Sequence, residues 1–285
     1  MSTLITMTNV NKSFGNKQVL KDINLQVKAG QILGLVGANG AGKSTCLQAL
    51  LGLSAFEGDI NVLGHQPNKD RTKMLNDVAY ISDVAVLPKW ITVKQLIEYM
   101  TNVHAKFDVE KAMFFLSKTN ITLKDKVKTL SKGMVTQLHL SLILAIDAKV
   151  LILDEPTLGL DILTRQTFYQ HLLEEFYTED KCIIVTTHQI EEIENILTDV
   201  AFIKNGEIVL SQSIEQVKNR FKLLSVSNEN KERAMALEPI NTHSMMGLTT
   251  MLFDQKDAEL EGLGQVSTPS LADVFVGIMK QEVSA

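Results

Sequence analysis

The chain has 285 residues, enough for one large core domain or a core with a small appendage. Hydrophobic residues make up 45% and charged residues 21%, which excludes an intrinsically disordered chain. With 33 acidic against 28 basic residues the formal net charge is −5, the wrong sign for a general nucleic-acid binder.

Residues 1–9 lack a cationic start followed by an apolar run, so no signal peptide is expected. The longest apolar stretches, residues 138–146 and 150–153, fall far short of the ~20 residues needed to cross a bilayer. A membrane role is therefore expected to require a partner chain that does the spanning. Cys46 and Cys182 lie far apart in apolar surroundings and read as small buried hydrophobes in a reducing cytosol, with neither disulfide nor zinc spacing.

In chain order, residues 4–10 and 19–27 read as strands, the second alternating apolar and polar positions. Residues 31–36 form a short buried strand that ends in a glycine-rich turn, and 43–51 read as a helix. Another short strand is expected at 78–81. From Thr92 to Ser117 the pattern turns helical, with Val93, Leu96, Ile97 and Met100 on one face. Residues 150–153 and 183–186 are continuous apolar runs, as in parallel strands covered on both faces, and a helix at 163–176 separates them. Ile190, Ile193 and Leu197 with Glu191, Glu192 and Glu194 describe an amphipathic helix. Residues 200–204 and 207–210 read as a hairpin turning at Asn205-Gly206. This alternation implies an α/β core with a mainly parallel sheet, carrying a helical insert at 92–130. After about Ser213 come a helix (214–221), short strands near 223–226 and 246–253, and a closing helix at 271–280.

The run Gly37-Ala38-Asn39-Gly40-Ala41-Gly42-Lys43-Ser44-Thr45 matches G-x-x-x-x-G-K-[ST] in full, between a buried strand and a helix. Its glycines let successive backbone N–H groups curl inward toward phosphate oxygens, and the helix N-terminus adds its positive dipole end. Lys43 is expected at the β- and γ-phosphates and the Ser44 hydroxyl on Mg²⁺. The strand at 150–153 ends in Asp154-Glu155, and ligands of open α/β sheets sit beyond the carboxyl ends of the strands. Asp154 is therefore suited to hold Mg²⁺. Glu155 is suited to orient or deprotonate a water attacking the γ-phosphate. Two acids also end strands that do no chemistry; the complete phosphate loop upstream is what turns this pair into a site.

Across about residues 4–210 the sequence resembles the nucleotide-binding domain of ABC transporters. Leu130-Ser131-Lys132-Gly133-Met134 is similar to the family's signature, with Lys132 in place of the first glycine and Met134 in place of the glutamine. Ser131 reads as a helix N-cap, with Met134, Leu138 and Leu142 on the apolar face behind it. The resemblance implies that Ser131 and Gly133 contact the γ-phosphate of ATP held by a second subunit. The S-x-G-M form resembles that of some bacterial antibiotic and peptide exporters. His188 matches the switch histidine that touches the γ-phosphate and helps hold Glu155 and the water. Leu158-Gly159-Leu160-Asp161 resembles the D-loop, and Phe14 stands where the family stacks an aromatic ring on adenine. Asp83 stands where the family usually has a glutamine that contacts Mg²⁺ and links the site to the membrane domain. Aspartate can bind the cation but cannot donate a hydrogen bond when ionised.

What the resemblance implies is an α/β P-loop NTPase core of ABC type, with an antiparallel β subdomain, a helical insert and a small C-terminal α+β appendage. Residues 1–212 form the nucleotide-binding domain, with the helical subdomain at about 84–134, and residues 213–285 an accessory segment. The expected function is ATP binding and hydrolysis with ATP and Mg²⁺, as a homodimer or a heterodimer with a related ATPase subunit. The partner is a separate integral-membrane transporter chain, the location cytoplasmic and peripheral on the inner face of the membrane, and the direction export. Residues 269–275 resemble a closing segment of drug-exporter ATPase subunits. Lys124, Lys126, Lys128 and Lys132 form a local basic cluster, and Trp90 with Pro88 lies where the family receives its membrane partner. Two alternatives remain: a soluble ABC ATPase without transport, or a regulatory nucleotide-binding subunit with weak hydrolysis.

Overall fold

The computed structural model describes residues 2–82, 87–158, 160–245, 248–255 and 259–281. Two long strands, β1 (Thr3–Phe14) and β2 (Lys17–Lys28), form an antiparallel hairpin. β3 (Ile32–Val36), buried throughout, runs into the phosphate loop and then α1 (Lys43–Leu50). β4 (Glu57–Val62) returns to pair antiparallel with β1, giving a three-stranded sheet in the order β2-β1-β4. β4 escapes the sequence pattern because its first three residues, Glu57 to Asp59, are exposed and polar. A polar helix with proline in its first turn, α2 (Pro67–Met74), leads to β5 (Val78–Ile81).

The expected helical insert is two helices, α3 (Val93–Val103) and α4 (Val109–Ser117), followed by α5 (Lys132–Leu144). The break falls where His104 takes extended angles and the Asp108 side chain accepts from the Lys111 N–H, which starts a new helix. Val93, Leu96 and Ile97 of α3 pack with Leu138 and Leu142 of α5 in a small core of their own.

β6 (Val150–Asp154), α6 (Ile162–Glu175), β7 (Cys182–Thr187), β8 (Asp199–Lys204) and β9 (Glu207–Ser213) complete the large sheet. Its order is β5-β6-β7-β3-β8-β9, parallel except for β9, which returns through the Asn205-Gly206 turn. The alternation of strand side chains sends Leu151, Leu153, Ile183 and Val185 to one face, under α6. Val150, Ile152, Cys182 and Ile184 go to the other, with α1 and the three-stranded sheet. Both faces are covered, which is why these strands read as unbroken apolar runs.

The helix expected at 190–197 is two separate 3₁₀ turns, Ile190–Glu192 and Glu194–Ile196. Tertiary contacts override the helical period here. Ile190 and Ile193 are both drawn into the main core, Glu192 pairs with Arg165 of α6, and Glu194 accepts from the Leu271 N–H.

Past Ser213, whose hydroxyl caps α7 (Ile214–Arg220), come β10 (Phe221–Val226), α8 (Lys231–Met235), β11 (Asn241–Met245), β12 (Leu248–Asp254), β13 (Gln265–Ser267) and α9 (Leu271–Lys280). The four strands form an antiparallel sheet in the order β11-β12-β10-β13. α9 folds back on the large core: Leu271 and Val274 join it, and the Phe275 ring meets Phe202 of β8 edge to face.

Candidate nucleotide site at the carboxyl end of the parallel sheet

β3, β6 and β7 are adjacent and parallel, so the loops that follow them open at one end of the sheet. There the phosphate loop, Glu155 and His188 meet around a cavity of about 480 Å³, within the range of small-ligand sites. Its lining includes Asn39, Gly40, Gly42, Lys43, Ser44 and Thr45 from the loop and α1, with Glu155, Leu158 and His188 opposite.

The loop's curvature depends on glycine. Gly42 takes φ +112°, a region that L side chains rarely enter. At Gly37 a Cβ would come within 2.6 Å of the Ile203 carbonyl oxygen, so the loop rests against β8 only because nothing projects there. Ala41 is buried beneath the curve and its carbonyl accepts from the Gly206 N–H of the β8–β9 turn. The Lys43 ammonium lies back across the loop, donating to the Gly37 carbonyl at 2.7 Å and reaching the Ala38 carbonyl at 3.4 Å.

Lys43 Nζ stands 3.7 Å from Glu155 Oε1, and the other Glu155 oxygen is 2.8 Å from His188 Nδ1. A carboxylate only accepts, so with Glu155 ionised the imidazole is the donor. Lys43 and Glu155 are 7% and 14% exposed, and a charge pair so little hydrated interacts more strongly than one on an open surface. Glu155 sits at φ +48°, which a non-glycine residue adopts only where its surroundings impose it. Thr186 supplies that constraint: its hydroxyl and carbonyl oxygens accept from the Glu155 N–H at 3.1 and 3.2 Å. The same hydroxyl donates to Asp154 Oδ1 at 2.5 Å. Asp154, 1% exposed, is thus held in a fixed orientation one residue before the cavity-lining Glu155.

Sequence reasoning singled out neither Thr186 nor Lys17, which with Val19 forms a wall of the cavity. The signal for Thr186 was a buried Thr186-Thr187 pair closing an otherwise apolar strand. Lys17 carried no signal beyond its place in a hairpin.

The remaining expected residues lie apart from this group. Phe14 ends β1 with its ring 52% exposed and the Lys12 ammonium 4.7 Å from its centre. It pairs in register with Lys17, which lines the cavity, and is not itself among the lining residues. Ser131 caps α5, its hydroxyl accepting from the Met134 N–H at 3.2 Å, as the sequence implies. Neither Ser131 nor Gly133 is among the described residues that line the phosphate-loop cavity. Lys132 instead faces an adjoining cavity of about 330 Å³ with Ser82, Thr136, His139 and the other side of Glu155. Burial lowers the His139 pKa there, favouring a neutral imidazole. Asp83 and Gly159 lie outside the described residues. Asp161 caps α6, accepting from the Thr164 N–H, and its hydrogen bonds to Thr164 hold its carboxyl below the usual range.

Residues 20–158 match the family described as ABC transporter. The methionine import ATP-binding protein MetN of Clostridioides difficile is 30% identical over 227 residues, covering 75% of this chain and 70% of that one. The ABC transporter ATP-binding protein YtrB of Bacillus subtilis is 28% identical over 218 residues, covering 76% and 75%. A solved structure described as the ATP binding subunit of an ABC transporter superposes with a TM-score of 0.71 at 22% identity, over 76% of this chain and 92% of that one. At that identity the structural likeness speaks to the fold alone. The chain belongs to the ABC transporter ATP-binding proteins. It is an ATP-binding subunit and an ATPase, and such subunits act with a membrane partner. Among the described residues no helix is long and apolar enough to cross a membrane.

Proposed function

We propose that the protein works as one of a pair of ATPase subunits that close around nucleotide and drive a separate membrane-spanning chain. The observation that carries this reading is the meeting of Lys43, Glu155 and His188 on one open cavity at the ends of parallel strands. In this reading the N–H groups of residues 37–45 and the Lys43 ammonium hold the phosphates, and Phe14 stacks on the base. Glu155 takes the proton of the attacking water as its oxygen bonds to the γ-phosphorus and the bond to the leaving ADP oxygen breaks. His188 fixes the Glu155 carboxylate, and Thr186 holds it by its backbone.

Ser44 and Asp154 offer the hard oxygen donors that Mg²⁺ prefers, and Asp83 would be a third. The fit rests on Asp154, whose buried carboxylate has one oxygen fixed by Thr186 at the end of β6, next in sequence to the cavity-lining Glu155. Bound Mg²⁺ would neutralise charge on the phosphates.

Ser131 and Gly133 lie off the phosphate-loop cavity of their own chain, which supports a site completed by the signature of a second subunit. ATP then does work because it binds the closed pair better than the open one. We assign residues 1–212 to the nucleotide-binding domain and 213–285 to an accessory segment. The subunit is placed at the inner membrane face, acting in export. The form of Ser131-Lys132-Gly133-Met134 and the closing segment at 269–275 support that direction.

The test is Mg²⁺-dependent ATP hydrolysis against protein concentration, beside Glu155→Gln. A rate per chain that climbs steeply with concentration is expected, lost in the variant while an ATP-bound dimer accumulates on gel filtration. A rate per chain independent of concentration would overturn the paired site.

A further inference from the structure

The contact between Glu155 and His188 joins the ends of two strands. Glu155 follows β6 and His188 follows β7, and each strand runs on into a segment that α6 holds. On the Glu155 side there are two points of hold. The Tyr169 hydroxyl lies 3.3 Å from the Thr157 hydroxyl, both buried, and Arg165 Nη2 donates to the Leu160 carbonyl at 3.1 Å. On the His188 side Arg165 acts again. Its Nη1 donates to Gln189 Oε1 at 3.3 Å and forms an ion pair with Glu192. One guanidinium therefore bridges the loop after Glu155 and the segment after His188.

Stability alone is a weak reason for this bridge. Arg165 and Glu192 are 17% and 20% exposed, and two charges drawn so far out of water lose in hydration much of what they gain from each other. The Arg165 Nε is buried with no hydrogen-bond partner among the described residues. The guanidinium is thus turned toward its two targets while its own Nε–H goes unmet. The local sequence also resists the arrangement. Ile190, Ile193 and Leu197 have the spacing of an amphipathic helix, yet the chain there makes two 3₁₀ turns, the first of which ends at Glu192. A native contact that overrides local propensity marks a place where geometry is specified. Here the geometry is that of the chain leaving His188. Released from Arg165, residues 189–196 would recover their helical period, and His188, one residue upstream, would lose its aim at Glu155.

We propose that Arg165 is a positioning residue for hydrolysis: its fork aims His188 at Glu155 and ties that aim to the loop at Leu160, so that pressure on the loop from a second subunit is felt at His188. The aiming of His188 stands on the contacts within one chain. Its dependence on a second subunit rests on the paired reading proposed above.

The full chain is compared with Arg165→Lys, which keeps the charge but replaces a planar fork by a single ammonium, and with Glu192→Gln, which keeps an oxygen acceptor and loses the charge. For each, kcat and KM for Mg²⁺-ATP, ATP affinity, the ATP-bound dimer on gel filtration, the urea midpoint and amide exchange at residues 189–196 are measured. Arg165→Lys should lower kcat roughly 100-fold, as expected when a group at the reacting centre is misplaced by about 1 Å. ATP affinity, the dimer and the urea midpoint should stay close to the parent's, and amide exchange should quicken at 189–196. Glu192→Gln should lower kcat roughly tenfold, since its amide oxygen still accepts. A parental kcat in Arg165→Lys would overturn the proposal. So would a loss of kcat matched by weaker ATP binding or a lower urea midpoint, which would leave Arg165 as a brace. The paired reading is judged on the unaltered protein alone, by how its rate per chain depends on concentration, so either can fail without the other.

Discussion

Two ionic clusters in this protein use the same kinds of charge and are built to opposite purposes. At the phosphate loop, Lys43 meets Glu155 at 3.7 Å and Glu155 meets His188 through a single hydrogen bond, all at the edge of an open cavity. In the C-terminal sheet, Arg220 closes a two-pronged bond on Asp254, Nε to Oδ1 at 2.8 Å and Nη2 to Oδ2 at 2.6 Å. The hydrogen bond to Asp254 raises the Arg220 pKa above its ordinary value. A cavity of about 240 Å³ adjoins that pair as well, yet both carboxylate oxygens are already taken. The first cluster is held by single contacts among three side chains at the mouth of a cavity that the phosphate loop also lines. The second is one planar two-pronged pair that ties the end of α7 to the end of β12. Single contacts beside phosphate-binding backbone, more than the presence of charge or of a cavity, are what separate this binding site from a brace.

Substitution on each side tests that contrast. Lys43→Met should lower ATP hydrolysis about 1,000-fold and leave the unfolding midpoint close to the parent's. Arg220→Met should do the reverse: hydrolysis within about twofold and a stability loss of about 1–2 kcal/mol in urea. That loss is discounted because both side chains are about a third exposed. If Arg220→Met stopped hydrolysis while folding normally, the brace reading would be wrong.

A smaller effect is expected at Thr186, which touches the reacting groups only through Asp154 and Glu155. Thr186→Val keeps the shape and removes the hydroxyl. It should lower kcat about 10–100-fold with little change in the ATP KM, and Thr186→Ser should restore most of the rate. A fall in ATP affinity with kcat intact would instead make the hydroxyl part of nucleotide binding.

The slightest signal concerns Cys46 in α1 and Cys182 in β7, whose thiols burial pushes up to about 12. In the folded protein they stay protonated where the unfolded chain's thiols have ionised. Stability is therefore expected to decline as pH rises from about 9 toward 12. At pH 8 a thiol reagent should label the native protein only as fast as it opens, and added ATP should slow the labelling further. Rapid labelling of Cys46 without unfolding would show that the nucleotide end is looser than its burial implies.

Most of the nucleotide end was legible because its signals are local. The phosphate loop and Asp154-Glu155 are short contiguous runs, the first following a buried strand and the second ending one. β5 and α9 fall on the residues the pattern implies. Legibility failed where a long-range contact decides the outcome. β4 depends on pairing with β1 and has little apolar character of its own. The turns at 190–196 have a helical pattern that Arg165 and Leu271 pull apart. β13 is a short exposed edge strand that depends on pairing with β10, well upstream, whereas β11 pairs with the adjacent β12 and was missed because Asn241 to Ser244 are polar. Thr186 was hidden for a related reason: its importance lies in a neighbouring strand, and no run of residues announces it.

The position of α9 has a consequence for how the protein is made. Residues 271–280 leave the ribosome after every strand of the large sheet, yet Leu271, Val274 and Phe275 cover the core around Phe202. The Lys204 ammonium, at the end of β8, bonds to the Ile278 and Gln281 carbonyls at 3.4 and 2.5 Å. The turn that follows supports the phosphate loop through Gly206 and Ala41. A nascent chain stopped short of residue 271 keeps the Gly206–Ala41 bond but lacks the cover over Phe202 and the carbonyls that hold Lys204, so it presents bare apolar surface of the kind that chaperones and proteases act on.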